Sequence, residues 1–141
     1  MTPNTLKTAL KEGIREQQEE AITHFEFLFD KHYKKIEEFD EIVEILILYA
    51  IENKSGGEIV EEVLDLICRA QGHQGIQNIN FDAFAENLHL VSGNVLFKYI
   101  EILSYTYNPK YIPDILKYRS HKDPLIRQGV EDALIELRYE S

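Results

Sequence analysis

Apolar residues recur at spacings of three and four along nearly the whole chain, and the alternation of a half-buried strand is scarce. That pattern predicts helix after helix. Thr2, Pro3 and Asn4 form a capping signal for a helix bearing Leu6, Ala9, Leu10 and Ile14. A second series follows in Ile22, Phe25 and Phe29, with Phe27, Leu28 and Tyr33 alongside. Gly13 lies near the junction and leaves open whether the region is one bent helix or two.

From residue 39 to 53, Ile42, Val43, Leu46, Ile47, Tyr49 and Ala50 make a broad apolar face. Glu37, Glu38, Asp40 and Glu41 crowd its start, where acidic groups suit the positive end of a helix dipole. Asn53-Lys54-Ser55-Gly56-Gly57 is a stop-and-turn signal, and Ile59, Val60, Val63, Leu64 and Ile67 mark the next helix. Two helices joined by a short glycine turn make an antiparallel hairpin. The pattern lapses from Gln71 to Asn80, which reads as a loop, either a connector between layers or a partner contact.

Beyond it, Asn80 caps a helix through Phe81, Phe84, Ala85, Leu88 and Leu90, and another holds Val95, Leu96, Tyr99, Ile100 and Leu103. Pro109 opens a short helix with Ile112, Ile115 and Leu116 facing inward. Asp123 and Pro124 read as N-cap and first residue of the last helix, with Ile126, Val130, Ala133, Leu134 and Leu137 as its stripe. The expectation is an all-α fold of seven or eight helices in stacked antiparallel hairpins. At 141 residues it is expected as one domain spanning 1–141.

Charge sharpens the picture. The net charge is −10, and residues 1–70 hold sixteen acidic groups against eight basic, whereas residues 71–141 hold nine against seven. Such a field repels nucleic acid and anionic lipid and favours encounter with basic protein surfaces. No apolar run reaches the ~18 residues of a membrane span, and nothing resembles a signal peptide, so a cytoplasmic location is expected. The single cysteine, Cys68, sits among Val63, Leu64, Leu66 and Ile67, where a buried thiol is expected.

Residues 120–137, SHKDPLIRQGVEDALIEL, combine an Asp-Pro turn, the Ile126-Arg127 pair and a closing Ala-Leu. This resembles the passage from one HEAT repeat into the next, with Gly129 where the pattern usually has alanine. Residues 107–118, YNPKYIPDILKY, resemble the short second helix of such a repeat. Residues 93–106 match the preceding helix less well, lacking its arginine. The likeness covers 93–138 and implies a helical-repeat, HEAT-like α-solenoid architecture, in which amphipathic pairs bury their faces on each other. Small, acidic and helical, the chain also looks like the bacterial polymorphic-toxin immunity proteins catalogued as immunity protein 30. That resemblance is one of architecture and implies a protein that clamps onto a basic toxin domain, such as a nuclease.

Candidate chemistry is thin. Glu86 and His89 have the Glu-x-x-His spacing of di-iron bundles, but such sites need a second pair, and Glu20 with His24 has the wrong spacing. Cys68 lies in an apolar run and His73 follows five residues later past an expected helix end, whereas nucleophile and base need hydrogen-bond reach. Gly56-Gly57 is followed by glutamate rather than by a phosphate-loop lysine. No catalytic residue, metal ligand or cofactor is expected. The candidate partner-binding residues are the acidic clusters Glu37, Glu38, Asp40, Glu41 and Glu44, and Glu58, Glu61, Glu62 and Asp65. Each cluster also reads as a solvated helix face. Tyr105, Tyr107 and Tyr111 surround a turn and join them, because tyrosine combines large contact area with a polar end. The expected function is toxin neutralisation through a protein partner, without nucleic acid, membrane or enzymatic activity; the oligomeric state stays open. The alternative is a helical adaptor in a larger complex.

Overall fold

The structure is a computed structural model that describes residues 1–31 and 35–140. Among these residues it is all-helical, with eight α-helices and two short 3₁₀ turns. Contacts group it into two compact units, residues 1–75 and 76–141.

The first unit holds α1 (Pro3–Glu12), α2 (Arg15–Lys31), α3 (Phe39–Glu52) and α4 (Glu58–Gln74). Thr2 caps α1 by accepting a hydrogen bond from the Thr5 amide, and Pro3 occupies the first turn. The question at Gly13 resolves into two helices. A Cβ there would lie 2.4 Å from the Ala9 carbonyl oxygen, so this tight exit from α1 needs glycine. α1 packs on α2 and α3, and α4 packs on the same two, so the four helices close a ring. Leu6, Phe25, Leu46 and Leu64 fill it and are fully buried, each contributing about 1.5–3 kcal/mol of transfer free energy.

Some expectations shift. Ile14 and Phe27 stand in solvent, because α2 begins after Ile14 and Phe27 lies off the stripe formed by Ile22, Phe25 and Phe29. Tyr33 lies outside the described residues. Gly72 does not end α4, which runs through it to Gln74, so the loop is shorter than its composition implies. The helix end is tied down there: the Ile36 amide donates to Gln74 Oε1 at 2.5 Å, and the His73 ring lies 6.0 Å from Phe29 and 6.1 Å from Phe39. Cys68 is half-buried rather than enclosed.

The second unit contains α5 (Asp82–Asn87) with a 3₁₀ turn at Leu88–Leu90, then α6 (Gly93–Ser104). A 3₁₀ turn at Pro109–Tyr111 leads into α7 (Ile112–Leu116), and α8 (Pro124–Glu136) follows. Short polar side chains start three of these segments. Asn80 accepts from the Asp82 amide at 2.8 Å, Asn108 from Lys110 at 3.0 Å, and Asp123 from Leu125 at 2.9 Å. α8 packs on both α6 and α7, as the helix–short helix–helix pattern requires. Arg127 closes the turn before α8 by donating to the His121 and Lys122 carbonyls at 2.7 and 3.0 Å. Gly129 has a reason too: a Cβ there would sit 2.9 Å from the Phe97 ring. Leu90 is exposed, and of the three α7 residues expected inside only Ile115 is fully buried.

Candidate functional site

The exposed face of α3 carries Glu41, Glu44, Leu48 and Glu52, spaced by three, four and four residues and therefore in one row. Glu37, Glu38 and Asp40 are exposed at or just before its first turn, where the helix dipole favours negative charge. On α4, Glu58, Glu62 and Asp65 form a second exposed row, while Glu61 is half-buried.

The rows differ in how they are engaged. Glu58 is bridged by Arg15, which also holds Glu19 at 3.0 Å. Arg69, next along the α4 row, is shared between Asp30 at 2.5 Å and Glu26 at 3.9 Å on α2. No ion pair among the described residues involves Glu41, Glu44 or Glu52. The same holds of Glu61 and Glu62 on α4, so carboxylates without an ion pair among the described residues lie on both helices.

A groove of about 710 Å³ runs between α1 and α3. Glu41, Glu44 and Glu52 line it from α3, and Lys7 and Lys11 line it from α1. Its apolar lining comes from Leu10, Ile45, Tyr49 and Leu48, the last 52 % exposed. Gln18 of α2 anchors the inner end by donating to the Leu10 carbonyl at 2.9 Å. Burial pushes the Tyr49 phenol above its ordinary pKa, partly offset by a hydrogen bond with Gln18. A smaller hollow of about 270 Å³ beside the α3–α4 turn shares Gln18, Tyr49 and Asn53 with the groove.

Of the acidic candidates, Glu41 and Glu44 therefore meet in this groove; the α4 residues do not line it. Lys7, Lys11, Leu48, Tyr49 and Glu52 were not among the sequence candidates. One signal did exist. Ile45-Leu46-Ile47-Leu48-Tyr49 is five apolar residues in succession, more than one helix face can bury, so at least one must point outward.

The tyrosines separate. Tyr107 is 45 % exposed and its hydroxyl donates to Glu136 at 2.9 Å, which raises its pKa, with a smaller contribution from burial. Tyr105 is half-buried at the end of α6. Tyr111 departs from expectation: only 4 % exposed, it packs inside its unit and cannot serve as a contact residue. Its hydroxyl donates to Asp82 at 2.7 Å, and Lys110 Nζ reaches the same carboxylate at 2.9 Å while lying 5.2 Å from the Tyr111 ring centre. The Lys110 and Tyr111 hydrogen bonds hold Asp82 below its ordinary value, and Asp82 in turn raises Lys110. This cluster latches the start of α5 to the 3₁₀ turn before α7.

Glu86 and His89 are both exposed, and among the described residues no three His, Cys, Asp or Glu groups are arranged to hold a metal ion. No helix of the described residues is long and apolar enough to cross a membrane. Comparison of the chain with protein-family models, with curated proteins and with solved structures finds no match.

Proposed function

We propose that this protein is an immunity-type inhibitor, which binds a basic toxin domain through the acidic face of α3 and neutralises it. The observation that carries the reading is the row Glu41, Glu44, Glu52, whose carboxylates line one groove and form no ion pair with other described residues. Such carboxylates break no existing pair when a partner arrives, and they complement lysine- and arginine-rich surfaces. The concentration of negative charge in residues 1–70 adds long-range attraction.

The test is co-expression with a toxin domain encoded beside this protein. Cells carrying it are expected to survive, and the purified pair to co-elute. The Glu41→Gln/Glu44→Gln/Glu52→Gln variant should bind at least tenfold more weakly. Lack of protection by the wild-type chain, with no complex formed, would remove the proposal. Co-purification with a non-toxic assembly would replace it with a scaffold role.

A further inference from the structure

We infer that the groove between α1 and α3 receives a single amphipathic helix of the partner, with basic residues along one edge, acidic residues along the other and an apolar ridge between them. The inference rests on the protein-binding reading and specifies which part of the partner is gripped.

The lining dictates the occupant's chemistry. Leu48 is a large apolar side chain left half in solvent, beside Ile45 and Tyr49 within the same groove. Such an apolar strip is completed by apolar side chains. The carboxylates of Glu41, Glu44 and Glu52 belong to one helix and the ammonium groups of Lys7 and Lys11 to the other. None of the five forms an ion pair with another described residue, although they share one groove. A ligand that carries lysine or arginine along one side and glutamate or aspartate along the other would pair both sets.

The groove also selects the ligand's backbone. Both flanking elements are helices, whose amides and carbonyls are engaged internally, so they offer no edge on which an extended strand could pair. An extended peptide would leave its own backbone groups unpaired against apolar side chains, whereas a helix satisfies them itself. From Glu41 to Glu52 the row spans eleven residue steps, about 16 Å at 1.5 Å per residue, or some three turns of a bound helix. The volume of about 710 Å³ suits a few large side chains presented at i, i+4 and i+7.

The probe is a synthetic 15-residue helical peptide of zero net charge, with leucines at i, i+4, i+7 and i+11, lysines on one flank and glutamates on the other. Binding is followed by amide chemical shifts of the full-length ¹⁵N-labelled protein. Saturable shifts confined to the groove lining on α1 and α3, with Gln18 of α2 at its inner end, are expected, with at least tenfold weaker binding of a scrambled peptide of the same composition. Leu48→Asp should weaken binding at least tenfold while leaving the circular dichroism spectrum unchanged, and Glu44→Lys should weaken it without touching the apolar lining. Equal binding of the scrambled peptide, shifts dispersed over α4 or residues 76–140, or an unaffected Leu48→Asp variant would overturn the assignment. So would a concentration-dependent dimer in sedimentation that Leu48→Asp abolishes, which would make a second copy the occupant. Should Leu48→Asp still capture the toxin domain with unchanged affinity, the groove assignment fails while the inhibitor reading stands. Peptide binding in the groove without any toxin capture would instead uphold the groove and remove the inhibitor reading.

Discussion

Gly129 and Tyr99 show how single residues are fixed by their neighbours. Alanine in mid-helix is favoured over glycine by about 1 kcal/mol, yet at Gly129 the added methyl would meet the Phe97 ring at 2.9 Å. Overpacking of this kind costs about 1–3 kcal/mol, so Gly129→Ala should lower stability by about 1 kcal/mol, measured by urea unfolding. In a Phe97→Ala background the same change should become stabilising by about 1 kcal/mol; a loss unchanged there would show that Phe97 is not the cause. Tyr99 is fully buried and stacked on Phe84 at 4.3 Å, and burial pushes its phenol up to about 12. A folded pKa above the unfolded value of about 10 favours the folded state fully below pH 10. That contribution falls away as pH rises through 10 towards 12. Tyr99→Phe should therefore remove part of the alkaline loss, about 2–3 kcal/mol at pH 12, visible as a flatter stability profile.

The elements follow the apolar period closely wherever a local stop or start signal accompanies it. The α3–α4 turn and the Asp123-Pro124 start of α8 both carry such a signal, and both stand within a residue or two of their expected places. Asp123→Ala should cost about 1 kcal/mol by freeing the Leu125 amide, while Asp123→Asn should cost much less, as read by thermal unfolding. What composition misjudged was α4, where Gly72 and its glutamines imply a loop. Docking of His73 against Phe29 and Phe39, distant in sequence, holds that last turn helical. Tyr111 misled in the same way, because the Asp82 that binds its hydroxyl is twenty-nine residues away. The groove was half legible. Its acidic members lie on one helix and show as a row, but Lys7 and Lys11 join them only because α1 packs on α3. No periodicity within either helix encodes that pairing.

At the scale of the molecule, charge and contact should act on different rates. Residues 1–70 carry a net −8 and residues 71–141 a net −2, so the negative field by which the proposed basic partner would be attracted is centred on the half that holds the groove. Long-range attraction is screened over about 10 Å at roughly 0.1 M salt, and it governs encounter more than residence. Glu37, Glu38 and Asp40 are exposed and do not line the groove, so they contribute to the field without touching a ligand seated there. Neutralising these three should slow association with the toxin domain several-fold at low salt and leave dissociation nearly unchanged, and raising the salt should erase the difference. Leu48→Asp should do the reverse, leaving association within about twofold and accelerating dissociation at least tenfold at any salt concentration. Surface plasmon resonance across a salt series separates the two. If both variants changed only association, Leu48 would act as one more element of the field, and the apolar groove would have no part in holding the partner.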